Sequence, residues 1–199
     1  IDNAYGLPFP NIVFTEATPW FDEHVILCMS LSKLGLPGLR TGIIVAAADL
    51  VQTITNANAI SMLANSALGA ALVSDLINSD EIEAVCETEI KPFYLAKAQQ
   101  AHAWCAESFA GLDYYLHKTE GAIFLWVWFP GLPISDLELY ERLKKRDVLV
   151  LAGRHFFPGL EESWDHTQQC LRISYAQDPE SVQRGIEIIG EEVRRAYKV

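Results

Sequence analysis

The stretch from Ser30 to Gly42 places Lys33 just behind two hydroxyls, Ser30 and Ser32, and ahead of Arg40, with Gly35, Pro37 and Gly38 turning the chain between them. A short apolar run, residues 24–29, leads directly into it. A lysine at the end of a buried strand sits at the rim of a sheet, where ligands of open α/β folds bind. A partly desolvated amine there can condense with an aldehyde, and hydroxyls with an arginine suit a phosphate. Residue types alone leave a second reading open, a solvated lysine in a Gly/Pro loop. Arg172 poses a similar question, because it lies inside the apolar run 170–176. An unpaired buried charge is costly, so that guanidinium needs an anion. Its planar fork can take a bound carboxylate through two parallel hydrogen bonds, or an acid of the chain itself can neutralise it.

Positioning these groups requires sheets and helices. Residues 24–29 and 41–47 are short apolar runs flanked by loop residues and read as buried strands of a mostly parallel sheet. Residues 49–78 read as two helices with a break near Asn65 and Ser66. A longer helical stretch follows from Ser79 to about Phe109, closed by Gly111, with a kink or boundary expected at Pro92. Beyond it, residues 112–117 and 122–129 read as a hairpin, aromatic and β-branched about a Thr-Glu-Gly turn. Ser135 and Glu138 make a capping box for a helix to about Lys145. Residues 147–152 and 170–176 read as strands, and Asp178-Pro179 opens a last helix with Val182, Ile186, Ile189 and Val193 on one stripe. The chain therefore divides into residues 1–78, the end of a parallel α/β domain, and residues 79–199, a smaller α/β domain that includes a long connecting helix. The first part holds too few strands to complete a sheet, so the chain reads as the C-terminal portion of a longer enzyme.

Composition narrows the partners. Lys and Arg total 15 against 26 acidic residues, a net charge of −11, which argues against nucleic acid or an anionic membrane surface. No apolar run reaches the ~18 residues of a membrane-spanning helix. Cys28, Cys86, Cys105 and Cys170 are scattered without a CxxC pair and read as apolar core residues of a reducing, cytoplasmic protein. The five histidines show no ligand spacing either, so no metal is expected.

The pattern Ser-x-Ser-Lys-x-x-x-Pro-Gly-x-Arg-x-Gly over Ser30–Gly42 resembles the lysine motif of the fold type I pyridoxal-phosphate enzymes. The resemblance implies that Lys33 carries pyridoxal 5'-phosphate as a Schiff base, that Ser30 and Arg40 hold its phosphate, and that Ser32 supports Arg40 from behind. Asp2-Asn3-Ala4-Tyr5 resembles the family's D-x-x-Y element, which makes Asp2 the partner of the pyridine nitrogen and Tyr5 the donor to the phenolic oxygen. By themselves these two read as a turn aspartate and a core tyrosine. The run Cys170–Ala176 resembles the small-domain strand whose arginine, here Arg172, binds the substrate carboxylate.

Residues 2–10, 27–38, 121–126 and 156–160 are similar to the corresponding segments of the valine–pyruvate aminotransferases in that family. That likeness covers essentially the whole chain. It implies transfer of the amino group from valine to pyruvate, giving 2-oxoisovalerate and alanine, with small aliphatic amino and 2-oxo acids as partners. No second basic residue stands out for a side-chain carboxylate, which agrees with such substrates. The family pairs large domains, so the resemblance also implies a homodimer, with the break near Asn65-Ser66 reaching the neighbour's site. Two other readings are a pyridoxal-phosphate-sensing domain of a transcriptional regulator and a non-catalytic fragment.

Overall fold

Strand β1 (Leu27–Ser30) alternates as a half-buried strand must, with Leu27 and Met29 buried and Cys28 exposed between them. In the computed structural model, which describes residues 1–198, it pairs antiparallel with β2 (Gly42–Val45), Leu27 opposite Val45 and Ser30 opposite Gly42. Val199, the last residue of the expected 79–199 domain, lies outside the described residues. Two expectations for these strands are corrected. They run antiparallel to each other, because the Leu31–Thr41 connection is shorter than the crossover of about a dozen residues that a parallel pair requires. The second strand is also not buried: Ile44 and Val45 are exposed. The parallel contact of β1 is instead with the start of the chain, through an Asp2–Cys28 bridge in which Asn3 N donates to Cys28 O at 2.8 Å and Cys28 N to Ile1 O at 2.9 Å.

The chain folds into two compact units, the first comprising Ile1–Leu95 with Glu120–Ala122. Its core gathers Phe9, Leu27, Met29, Leu31, Val73, Ile82 and Cys86. Helices α1 (Ala48–Met62) and α2 (Leu68–Asn78) are separated by the break expected at Asn65 and Ser66, where the Ser66 hydroxyl accepts from Leu68 N at 3.3 Å. Gly69 lets α2 approach the end of the Lys33 loop, since a Cβ there would run into the Thr41 side chain. The long helical stretch is interrupted as Pro92 requires. Helix α3 (Glu81–Val85) passes into one π turn (Cys86–Ile90), and α4 (Lys91–Ser108) resumes beyond it. Pro92 has no N–H to offer the carbonyl four residues back, and the ladder slips by one residue just before it, Lys91 N donating to Cys86 O.

The second unit comprises Ala96–Thr119 and the chain from Ile123 onward. Its sheet is antiparallel throughout, in the order β3 (Tyr115–Leu116), β4 (Phe124–Trp128), β6 (Cys170–Ser174), β5 (Leu151–Ala152). The expected strand at 147–152 shrinks to Leu151–Ala152, and Asp147, where it was expected to start, takes a left-handed conformation, φ 61°, outside the extended region. Helix α5 (Asp136–Lys144) starts at the expected capping box, Ser135 Oγ accepting from Glu138 N at 3.2 Å. Helix α6 (Pro179–Tyr197) starts where Asp178 Oδ1 accepts from Ser181 N at 2.9 Å, and it buries Val182, Ile186, Ile189 and Val193 as one stripe.

Candidate active site

Lys33 stands on a 3-10 turn, Leu31–Leu34, that β1 feeds directly. The Ser30 hydroxyl caps the turn, accepting from Ser32 N at 3.2 Å. The fully buried Leu31 pins it to the core, and Gly35 closes it in the left-handed region at φ 85°. These restraints fix the backbone on both sides of a half-buried lysine. The lysine Nζ lies 5.5 Å from the centroid of the Tyr5 ring. Tyr5 reaches that position because the Asp2–Cys28 bridge carries the Asp2–Tyr5 segment alongside β1, and because Ile12 N donates to Tyr5 O at 2.8 Å. Asp2 is exposed beside them, one carboxylate oxygen accepting from Ala4 N at 3.2 Å.

Arg40 ends the second 3-10 turn of this loop in a left-handed conformation, φ 47°. Its exposed guanidinium donates to Pro37 O at 3.3 Å and pairs with no carboxylate among the described residues. Ser30, Lys33, Tyr5 and Asp2 are thus brought together around the end of β1. Ser32 and Arg40 share the loop, but no hydrogen bond joins them among the described residues. Beside Lys33 an open pocket of about 330 Å³ is walled by Leu34, Gly35, Glu89, Ile90, Phe93 and Tyr94. Its far wall, the π turn and the first turn of α4, has only Pro92 as a sequence signal.

In the second unit, β6 alternates Leu171 and Ile173 into the core and therefore turns Arg172 to the other face, opposite Trp126 of β4. The half-buried Arg172 forms no ion pair among the described residues, so the internal salt bridge is not made. Two rings flank it instead, with its guanidinium carbon 4.0 Å from the Phe124 centroid and 4.9 Å from the Phe156 centroid. Phe156 ends a 3-10 turn, Gly153–Phe156, that is bolted down at Arg154. The buried Asp136 carboxylate accepts from Arg154 N at 2.9 Å and from Arg154 Nε at 2.7 Å, and it forms an ion pair with Arg154 Nη2 at 2.5 Å. Residue types and spacing mark neither phenylalanine, and the doubled Phe156-Phe157 ahead of Pro158 was the available signal.

Burial pushes the Cys105 and Cys170 thiols up to about 12 and Cys86 to about 11, which leaves all three unreactive. Burial also lowers His102, whose Nε2 lies 2.7 Å from Thr119 Oγ1, and His166. No group of three or more His, Cys, Asp or Glu placed to hold a metal occurs among the described residues.

The family model described as aminotransferase class I and II matches residues 1–189. Valine–pyruvate aminotransferase of Escherichia coli (strain K12) is 47% identical over 197 residues, which cover 99% of this chain and 47% of that protein. The crystal structure of valine-pyruvate aminotransferase from Salmonella typhimurium LT2 superposes with a TM-score of 0.95 at 47% identity, covering 99% of this chain and 51% of that one. The alpha-aminoadipate aminotransferase of Thermus thermophilus, solved in complex with N-(5'-phosphopyridoxyl)-L-leucine, superposes at 0.80 with 24% identity over 99% of this chain and 50% of that one, a likeness of fold alone. The chain spans about half the length of the relatives it matches.

Proposed function

The chain belongs to the aminotransferase class I and II family and has its α/β fold, and on that premise we propose that the protein carrying it transfers the amino group between valine and pyruvate with pyridoxal phosphate as cofactor. The observation that carries this reading is the meeting of Lys33 with Tyr5, 5.5 Å from amine to ring centroid, beside Asp2 at the end of one strand. The donor set fits the cofactor group by group: an amine for its aldehyde, a phenol for its phenolic oxygen, a carboxylate for its ring nitrogen, and a hydroxyl with a guanidinium for its phosphate. When bound, pyridoxal phosphate supplies an electron sink that makes the substrate Cα–H acidic.

The residues of the chain then have separate tasks. Lys33 would be the covalent anchor of the cofactor and, as a free amine, would take the proton from the substrate Cα. Asp2 keeps the ring nitrogen protonated, and Tyr5 donates to the phenolic oxygen. Ser30 and Arg40 bind the phosphate, with Ser32 behind Arg40. Arg172 receives the substrate carboxylate, a role supported by its lack of an acidic partner among the described residues. The preference for valine and pyruvate rests on the likeness to the Escherichia coli enzyme, 47% identical.

The division into residues 1–78 and 79–199 belongs to the same proposal, as does a homodimer in which the segment around Asn65 and Ser66 reaches the neighbouring site. A cytoplasmic location is proposed with them, and no helix among the described residues is long and apolar enough to cross a membrane. The test uses the full-length protein. It should be yellow, and borohydride should fix the cofactor to one peptide containing Lys33. Transamination at the parent rate by Lys33→Ala would overturn the proposal.

A further inference from the structure

We propose that Phe124 and Phe156 are positioning residues that hold the Arg172 guanidinium for a carboxylate, a step beyond the proposed function and resting on its reading of Arg172. An arginine that is to bind a carboxylate from solution presents a design conflict. Left alone, its long side chain samples many rotamers, and each binding event must order it again. Held by an aspartate or glutamate, it is ordered, but the internal acid occupies the same N–H donors that the ligand needs. The geometry around Arg172 resolves this conflict with aromatic faces. A ring attracts the cation through its quadrupole without accepting a conventional N–H hydrogen bond, so the planar fork of donors stays available.

Each ring is placed by a different part of the unit. Phe124 lies on β4, opposite Ser174 and therefore diagonal to Arg172 on the same face of the sheet, with its ring centroid 4.0 Å from the guanidinium carbon. Phe156 comes from outside the sheet, 4.9 Å away, at the end of the turn that Asp136 anchors through Arg154. Trp126, directly across from Arg172, meets the Phe156 ring edge-on at 5.2 Å and steadies it. Phe156 is 40% exposed, more than a ring placed only to fill the core would be. The sheet holds one ring, the Asp136-anchored turn holds the other, and Arg172 stands against both without an acid among the described residues.

The test measures two competitive inhibitors of the full-length enzyme, 3-methylbutanoate and its neutral amide, against Phe156→Leu, Phe156→Tyr and Phe124→Leu. Leucine keeps apolar bulk and removes the π face. Phe156→Leu should weaken the carboxylate about tenfold and the amide less than about twofold, with kcat within about twofold of the parent, and Phe156→Tyr should restore carboxylate binding. Equal weakening of both inhibitors would make the rings pocket lining and overturn the proposal, as would no weakening of either. Phe124→Leu repeats the reading should Phe156→Leu fail to fold. Arg172→Ala separates the two layers. If it leaves carboxylate binding intact, the assignment of Arg172 itself fails. If it abolishes that binding while both leucine variants bind normally, only the aromatic clamp fails.

Discussion

Asp136→Ala should destabilise the second unit by about 3 kcal/mol and loosen the turn that presents Phe156. The Asp136 side chain has no exposed surface, takes two hydrogen bonds from Arg154, at 2.9 and 2.7 Å, forms an ion pair with Arg154 Nη2 at 2.5 Å, and takes one more hydrogen bond from Leu137 N at 2.9 Å. Breaking a buried ion pair by removing one partner costs about 3–5 kcal/mol, because the other charge is left uncompensated. The Arg154 side chain retains 32% exposure, so water recovers part of its solvation and the loss falls at the lower end of that range. Asp136 also opens α5, where a negative charge favours the positive end of the helix dipole. Asp136→Asn keeps an acceptor and loses the charge, so it should cost roughly half as much. Urea unfolding followed by tryptophan fluorescence reads this directly, since Trp126 and Trp128 lie on β4 of the same sheet. The midpoint should fall with an unchanged slope. A loss below about 1 kcal/mol would refute the argument, as it would mean that the turn stands without its anchor. A normal KM for valine in Asp136→Asn would show in addition that the anchor does not reach the Phe156 ring.

Other outcomes follow from the same structure. Arg172→Ala should raise KM for both valine and pyruvate far more than it weakens cofactor binding, as steady-state kinetics and cofactor titration would show. His102 is held below the usual imidazole value by burial, so the unfolded chain binds a proton that the folded one refuses. Stability is therefore full above about pH 6.5 and declines as pH falls below it toward the lowered value, and His102→Gln should flatten that part of a melting-temperature profile. Cys86, Cys105 and Cys170, with thiols raised to about 11, 12 and 12, should resist iodoacetamide at pH 8 until denaturant is added, as peptide mapping would report.

Local signals were legible wherever the physics is local. The capping box at Ser135 and Glu138, the Asp178-Pro179 start of α6 and the interruption at Pro92 each follow from a few neighbouring residues, and the structure places them accordingly. The stripe of Val182, Ile186, Ile189 and Val193 follows from the helical period, and all four are buried. The lysine motif and the arginine strand were legible for the same reason, since they are contiguous runs. Only the tertiary structure decided what stands beside them. The direction of β1 against β2, the arrival of Tyr5 near Lys33 and the aromatic company of Arg172 join positions far apart in the chain. Neither periodicity nor composition at one of these positions carries information about the other. Arg172 makes the difference plain: the sequence required an anion for a charge inside an apolar strand, and the fold met the charge with two rings, with no acid on its N–H fork among the described residues.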